Sequence, residues 1–250
     1  MTPEIDEAFA AIRSEYGAGS LARVEEMMRV ETDSRHPLQQ GARWVLPGIS
    51  QQPWHDPYAY PEFLPLVREL EAAHGDIKRE ITESWATRRE RFARYDHYLG
   101  NQEDWRAVYL FRRGAMEKET AELVPTAHRI VERSGVDAGV LCPLLESHFS
   151  TLLPGTVIAD HCDLWNFSIN LHLAVSIPDD CSITVADERR SWEEGRCLLF
   201  DYSFRHSARN DGAGTRTCLL VDLWHPETTA PERRALTVLV TEVRALMGES

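Results

Sequence analysis

The hydrophobic and polar positions divide the chain into a helical first half and a strand-rich second half. Over residues 3–32 apolar side chains recur at helical spacing, interrupted by glycine, which predicts one or two amphipathic helices. Residues 32–61 combine prolines with aromatic side chains and predict an ordered connector, because proline and the residue before it resist helical geometry. Residues 63–95 and 118–134 return to helical spacing and carry many charges.

The last hundred residues show a different pattern, in which apolar and polar side chains alternate with a period of two. Residues 167–175 are typical of a half-buried strand. Further short apolar runs are residues 181–185, 196–200 and 216–224. Many short strands separated by turn residues predict an antiparallel sandwich or jelly roll. Pro231 follows them at a position where a closing helix would start.

This order of elements predicts an α+β fold in which helices cover one side of a double-sheet jelly roll. The predicted organisation is an N-terminal helical extension over residues 1–40 and a larger domain over residues 41–250. The strand-rich core of that domain is expected at about residues 139–225.

Composition narrows the class of protein further. The chain has 250 residues, of which 43% are hydrophobic, and its 27 basic and 40 acidic side chains give a formal net charge of −13. These values fit a globular protein, and the acidic excess argues against a nucleic-acid surface. Five cysteines are scattered without a CxxC pair, so free thiols are expected. The acidic start and the lack of a long apolar run predict a cytoplasmic protein without a membrane segment.

The sequence His161-Cys162-Asp163 carries the first candidate chemistry. In an extended backbone, residues two apart point to the same side, so His161 and Asp163 can converge. With a distant second histidine they would form the triad that binds iron(II) and leaves coordination positions open. His206, 45 residues further on, is the candidate third ligand, and Arg216 follows ten residues later. This spacing is typical of iron(II)/2-oxoglutarate oxygenases, in which an arginine holds the distal carboxylate of the co-substrate.

The spacing alone leaves a structural interpretation of these residues open. A histidine in a strand is more often hydrogen-bonded within the fold than bound to a metal. A chance His-x-Asp match is also expected in a chain with ten histidines and 40 acidic residues. The joint pattern within period-two strands favours a mononuclear metal site without establishing it.

Further motifs stand in a fixed order over about residues 140–230. They are residues 153–156, 161–166, 171–173, 192–195 (Trp-Glu-Glu-Gly), 200–206 and 221–227. Weaker matches reach back through Leu46-Pro47-Gly48 and Gln52-Pro53-Trp54. Together these segments resemble the aspartyl/asparaginyl β-hydroxylase family of iron(II)/2-oxoglutarate-dependent dioxygenases. The resemblance implies a double-stranded β-helix core, the jelly roll of cupins, with flanking helices and an oxygenase domain over residues 41–250.

Carried over residue by residue, the resemblance implies that His161 and His206 are iron(II) ligands. The animal aspartyl hydroxylases of the family have glycine where Asp163 stands and bind iron with two histidines and water. The lipid A hydroxylase branch has a carboxylate there, so Asp163 is expected to complete a triad. The alternative is an aspartate that turns outward and caps the following turn.

The same resemblance assigns a site for the co-substrate 2-oxoglutarate, which the reaction consumes together with O₂. Arg216 and Ser150 would bind the C5 carboxylate, since a guanidinium fork matches a carboxylate and a hydroxyl adds one donor. His172 would lie near the C1 end, and Asn170, two positions away, can face the same space. Relatives have arginine in place of Asn170, so the affinity or pose of 2-oxoglutarate is expected to differ here.

The resemblance also bears on the substrate. Family members hydroxylate aspartate or asparagine in protein domains, amino acids or peptides, and lipid A acyl chains; a basic membrane-facing patch for lipid A is missing here. We expect hydroxylation of an unactivated carbon, such as the β-carbon of Asp, Asn or a related amino acid, free or in a short peptide, as in natural-product biosynthesis. Succinate and CO₂ would be the co-products. Residues that could line the entrance, or equally well pack or lie on the surface, are Trp165, Tyr202, Arg205, Arg209, Trp54 and His55.

Two alternatives from other classes stay open. One is a non-catalytic jelly-roll protein that binds a metal or ligand without turnover. The other is a cupin-like metalloenzyme that does not use 2-oxoglutarate. In every case the pattern predicts no nucleic-acid or membrane partner, and it makes no prediction of the oligomeric state.

Overall fold

The computed structural model describes residues 2–29, 35–95 and 104–248. The helices in this part of the chain are α1 (Pro3–Tyr16), α2 (Ala22–Arg29), α3 (Leu64–Ala72), α4 (His74–Thr87), α5 (Pro125–Ile130), which continues as a π-helical segment (Val131–Val136), and α6 (Ala230–Met247). The strands are β1 (Trp54–His55), β2 (Ala93–Arg94), β3 (Trp105–Arg112), β4 (Ala115–Met116), β5 (Glu146–Leu152), β6 (Val157–His161), β7 (Ser168–Ser176), β8 (Cys181–Val185), β9 (Glu188–Arg190), β10 (Cys197–Phe200), β11 (His206–Asn210) and β12 (Arg216–Trp224). None of the described helices is both long and apolar enough to cross a membrane.

Two antiparallel sheets form the core of the fold. The larger sheet has the strand order β1-β10-β7-β12-β5-β3-β2, with β4 paired to β3, and the smaller sheet has the order β6-β11-β8-β9. From β5 to β12 the chain passes repeatedly from one sheet to the other, with only β8 and β9 consecutive in one sheet. This is the jelly-roll arrangement, and it confirms the predicted α+β fold with a double-stranded β-helix and flanking helices.

Strand β7 shows why its sequence alternates. Ile169, Leu171 and Leu173 are fully buried in an apolar cluster that includes side chains of α3, α4 and α5. Asn170 and His172 point to the opposite face and line a cavity between the sheets. Both faces of the strand are therefore covered, one by helices and one by the second sheet. A register shift of one residue would place the polar side chains against the helices, so the pattern specifies the register.

A second apolar cluster attaches the N-terminal helices to the barrel. Phe9 of α1 belongs to the same cluster as Phe167 and Leu236 of α6. Arg23 of α2 also forms a 2.6 Å ion pair with Glu232 in the first turn of α6. The predicted closing helix is present, and it packs against α1 and α2 in a cluster that includes Trp224 at the end of β12.

The helical predictions need correction in the middle of the chain. The helix expected over residues 63–95 ends at Thr87, because the chain then forms β2, in which Ala93 pairs with Ala107 of β3. The residue pattern does not predict β3, which pairs along most of its length with β5. Over residues 118–134 the α-helix begins only at Pro125. Residues 30–34, assigned to the first helical run and the start of the connector, lie outside the described residues.

Replacing Phe9 with alanine tests whether α1 shares a core with the sheets. Phe9 is fully buried, so we expect its truncation to lower the free energy of unfolding by about 3–5 kcal/mol in one transition. Tyr16→Ala on the same helix is the control, because Tyr16 is 46% exposed and its loss should cost less than about 0.5 kcal/mol. Urea denaturation followed by circular dichroism measures both. Equal, small effects of the two substitutions would contradict a shared core.

Candidate metal centre

Two histidines face each other on the smaller sheet. His161 ends β6 and His206 begins β11, and the two residues are paired directly in the sheet register. Their ring centroids lie 4.0 Å apart. His161 Nδ1 lies 2.8 Å from the Ala159 carbonyl oxygen, and His206 Nδ1 lies 2.9 Å from the Phe204 carbonyl oxygen. A carbonyl only accepts, so each Nδ1 carries the proton and each Nε2 keeps its lone pair, as in histidines that bind a metal.

Asp163 brings a carboxylate to the same place. Its backbone N–H donates to the Tyr202 carbonyl oxygen at 2.9 Å, and its Oδ2 lies 3.6 Å from His206 Nε2. One ligand atom from each of His161, Asp163 and His206 lies within 4.8 Å of the other two. The carboxylate therefore points toward the imidazoles rather than outward over the next turn. Two neutral nitrogens and one carboxylate oxygen are a donor set that fits iron(II).

The protonation equilibria of these groups favour a bound cation. Burial, followed by the charges of Asp222 and Asp201, raises the pKa of Asp163 to about 8. Burial also lowers the pKa of His161. In both cases desolvation penalises the charged form of the side chain. A divalent ion would offset this penalty for the carboxylate, and it requires neutral imidazoles.

A buried arginine lies across the cavity from the histidines. Arg216 is 2% exposed, and in the described parts of the chain no carboxylate forms an ion pair with it. Its Nη1 donates to Ser150 Oγ at 3.2 Å, and its guanidinium carbon lies 4.3 Å from the ring centroid of Trp192. Ser150 Oγ also accepts from Trp105 Nε1 at 3.0 Å. With both hydroxyl lone pairs engaged, the Ser150 proton is directed at another acceptor.

His172 is held as a neutral donor beside this arginine. Trp192 Nε1 donates to His172 Nδ1 at 3.2 Å, so the proton of the neutral ring is on Nε2. Burial, followed by the charge of Arg216, lowers the pKa of His172 well below its usual value and keeps the imidazole neutral. Arg216, Ser150 and His172 therefore all offer N–H or O–H groups to the cavity.

One cavity of 750 Å³ connects the two groups of side chains. It is lined by the three candidate metal ligands, by the candidate co-substrate residues Ser150, Asn170, His172 and Arg216, and by Tyr202. The structure thus brings together eight residues that the sequence singled out, and it places them between the sheets. A space of this size is typical of small-molecule sites.

The other residues expected at a substrate entrance are not among the residues that line this cavity. Trp165 is buried against Phe167, with ring centroids 5.0 Å apart. Arg205 and Arg209 form ion pairs with the exposed side chains of Asp187 and Asp211. Trp54 stacks under Arg190, and His55 lies beside Tyr60. In these positions the side chains pack or lie at the surface, which was the alternative interpretation for each of them.

Three residues contribute to the site in ways that the sequence does not predict. Trp192 contacts both Arg216 and His172, and Trp105 orients Ser150. Asp222 accepts a hydrogen bond from Asn170 Nδ2 at 2.5 Å. Trp192 belongs to the Trp-Glu-Glu-Gly segment, so the motif marks it, but the motif does not say what its indole contacts.

A jelly roll with two imidazoles and a carboxylate beside a buried arginine defines a candidate mononuclear metal protein. A family model described as Aspartyl/Asparaginyl beta-hydroxylase matches residues 71–226. The aspartyl/asparaginyl beta-hydroxylase of Mus musculus is 31% identical over 195 residues, which are 77% of this chain and 26% of the relative. The aspartate beta-hydroxylase domain-containing protein 2 of Homo sapiens is 37% identical over 138 residues, which are 53% of this chain and 37% of the relative. The chain belongs to the aspartyl/asparaginyl beta-hydroxylase family, and it spans less than half the length of these two relatives.

Solved structures show a more distant likeness. A prolyl hydroxylase from Trichoplax adhaerens, in complex with a hypoxia inducible factor peptide fragment, aligns with a TM-score of 0.44 and 11% identity over 66% of this chain and 82% of that chain. A 2OG-Fe(II) oxygenase family oxidoreductase from Burkholderia pseudomallei aligns with a TM-score of 0.40 and 13% identity over 57% of this chain and 78% of that chain. Similarity at this level carries no conclusion about chemistry.

Asp163→Asn tests the metal centre, with Asp160→Asn as its matched control. Iron(II) added without oxygen should raise the melting temperature of the wild-type protein, since an ion that binds only the folded state stabilises it by about 2.7 kcal/mol at a hundred times its Kd. We expect Asp163→Asn to need at least about tenfold more iron(II) for the same rise in melting temperature, because an amide is a poorer ligand than a carboxylate. Asp160 is exposed on β6, so its variant should behave as wild type. An unchanged iron response in Asp163→Asn would exclude this carboxylate as a ligand.

Proposed function

We propose that this chain is an iron(II)/2-oxoglutarate-dependent dioxygenase that hydroxylates an unactivated carbon of an amino acid or a short peptide. One observation carries the proposal. Arg216 is buried without a carboxylate partner in the described structure, and it lines the same cavity as His161, Asp163 and His206. A buried guanidinium without a counter-ion is costly unless an anionic ligand completes it. A dicarboxylate that also reaches the metal centre meets that requirement.

The side chains around Arg216 fit the distal carboxylate of 2-oxoglutarate. The guanidinium is packed on the Trp192 ring and bonded to Ser150, so its orientation is fixed before a ligand arrives. Its Nε has no partner within the described structure. Together with the Ser150 hydroxyl proton and the Nε2–H of His172, it supplies donors to an anion from several directions, which is the arrangement that binds carboxylates tightly.

His161, Asp163 and His206 would hold iron(II), and the remaining coordination positions would face the cavity. When bound, iron(II) and 2-oxoglutarate supply the oxidation: one atom of O₂ enters the substrate as a hydroxyl group, and the other enters the succinate formed as 2-oxoglutarate loses CO₂. The chain orients the imidazoles of both histidines through hydrogen bonds from Nδ1 to backbone carbonyl oxygens. Apolar walls from Ile158, Ile183 and Phe200 limit water at the centre.

The proposed substrate follows from the cavity and the family. The cavity of 750 Å³ is large enough for 2-oxoglutarate together with a second small molecule. The curated relatives are named as aspartyl/asparaginyl or aspartate β-hydroxylases, which supports the β-carbon of Asp, Asn or a related amino acid as the position of attack. The five cysteines are all unpaired, which supports a reducing compartment such as the cytoplasm as the proposed location.

Arg216→Met separates a ligand-binding arginine from a structural one. We expect the affinity for 2-oxoglutarate, measured by calorimetry in the presence of iron(II) without oxygen, to fall at least thirtyfold, since losing a buried charge partner costs about 2–5 kcal/mol. The free energy of unfolding without ligand should stay within about 1 kcal/mol of wild type or rise, because an uncompensated buried charge is removed.

Arg209→Met is the control for this experiment, since Arg209 is an exposed arginine on the smaller sheet. It should leave the affinity for 2-oxoglutarate unchanged. Wild-type affinity in Arg216→Met would exclude the proposed co-substrate site. It would favour a metalloenzyme of the cupin type that does not use 2-oxoglutarate.

A further inference from the structure

The inner face of the larger sheet changes chemical character along its strands. Arg216 is paired with Leu152 at one end of β12, and Asp222 is paired with Asn170 near the other end. Asp222 stands six positions after Arg216 along the extended strand, a distance of roughly 20 Å. The end near Arg216 presents donors, as described above. The end near Asp222 presents acceptors.

Asp222 is a buried carboxylate with neutral donors around it. It is 8% exposed, its Oδ1 accepts from Asn170 Nδ2 at 2.5 Å, and its Oδ2 accepts from the Glu146 backbone N–H at 3.1 Å. No arginine or lysine in residues 2–29, 35–95 or 104–248 forms an ion pair with it. The Tyr202 side chain also hydrogen-bonds to this carboxylate. A carboxylate has about four acceptor positions, so capacity for a further hydrogen bond remains.

Two further side chains of the cavity have polar atoms without partners in the described structure. Asn170 is also 8% exposed, and its Oδ1 accepts no hydrogen bond in the described structure. His148 pairs with Leu220 in the middle of β12 and is 4% exposed. Within the described residues neither of its ring nitrogens has a hydrogen-bond partner, and Glu146 Oε2 lies 3.7 Å from its Nδ1. Asn170, His148, Glu146 and Asp222 all line the cavity. The Asn170 amide oxygen can only accept, so it calls for a ligand with a hydrogen-bond donor.

We propose that Asp222 and the Asn170 amide oxygen, with Glu146 beside them, bind an ammonium or guanidinium group of the substrate. This inference rests on the proposed function, because it names the substrate class of the same site. A cationic N–H group fills the unmet acceptor of Asn170 and gives Asp222 the charge partner that the chain does not provide. Bonds from a charged donor to a buried carboxylate are about twice as strong as neutral ones.

The other charges around the cavity agree with an amino-acid substrate. Arg112, Arg113 and Arg244 also line it, and their charges act on Glu146. Glu146 therefore has basic neighbours that offset its charge. Asp222 has no such ion pair in the described structure, so its carboxylate is the group that would favour a cationic ligand over a neutral one. The three arginines would face the carboxylate of a zwitterion whose ammonium group is bound at Asp222.

Three pairs of probe molecules distinguish the sources of the cation. L-lysine and L-norleucine differ in a side-chain ammonium group, and L-arginine and L-citrulline differ in the guanidinium charge. L-norleucine and N-acetyl-L-norleucine differ in the α-ammonium group. Calorimetry with the protein holding iron(II) and 2-oxoglutarate, without oxygen, gives each affinity. We expect the cationic member of at least one pair to bind at least about tenfold tighter than its partner.

Two substitutions assign any such preference to the acceptor end. Asp222→Asn keeps the shape of the side chain and removes its charge, so the preference within the pair should fall to about twofold or less. Asn170→Arg places a guanidinium in register with Asp222 and should have the same effect by occupying the carboxylate. It also covers the case in which Asp222→Asn does not fold. Glu188→Gln on β9 is the control, since Glu188 is exposed at the sheet edge, and it should keep the wild-type preference.

Binding of 2-oxoglutarate, measured in the same samples, separates this inference from the proposed function. If wild-type protein binds 2-oxoglutarate but shows equal or no affinity within all three pairs, the cation site is excluded and the proposed function stands. If 2-oxoglutarate itself does not bind, the proposed function fails. A cation preference that survives in both Asp222→Asn and Asn170→Arg would place the binding group elsewhere and overturn the assignment.

Discussion

The burial of both faces of the larger sheet is the constraint on which the rest of the structure depends. Helices cover the face that carries Ile169, Leu171 and Leu173, so the polar residues of the same strands must face the smaller sheet. There they are shielded from bulk water, and each needs a partner or a ligand. Arg216 Nε and Asn170 Oδ1 remain without one on this inner face. These two unmet groups line the same cavity, a donor near one end of β12 and an acceptor near the other.

The register of the smaller sheet brings the candidate metal ligands together, which are the third group of the site beside the donors and the acceptors. Direct pairing of His161 with His206 sets the two imidazoles side by side, and the same backbone hydrogen-bond pattern fixes both tautomers. Asp163 joins them because its backbone is tied to the Tyr202 carbonyl just before β11. These three residues would hold a metal at the cavity that the inner face of the larger sheet also lines. In the proposed function, the metal, the co-substrate and the substrate would share this one cavity.

The sequence predicts those features that repeat locally or form compact motifs. Alternation over residues 167–175 and 216–224 predicts two central strands of the larger sheet. The His-x-Asp spacing with His206 and Arg216 indicates the two polar groups of the site without establishing their roles. Strand β3 escapes prediction because its partners are distant in the chain, with Ala107 opposite Ser150. The roles of Trp192 and Asp222 are not predicted for the same reason, since each depends on contacts across strands. Trp165 shows the converse: an aromatic residue next to the motif packs into the core instead of lining the cavity.

The visible absorption spectrum of the protein with iron(II) and 2-oxoglutarate, recorded without oxygen, tests the central claim most directly. Chelation of ligated iron(II) by the keto acid gives a weak charge-transfer band, and we expect it in the wild-type protein. His206→Ala removes one of the nitrogen donors, so the band should be lost or strongly reduced. A band that forms unchanged in His206→Ala, or no band in wild-type protein that binds both iron and 2-oxoglutarate, would contradict the proposed metal centre.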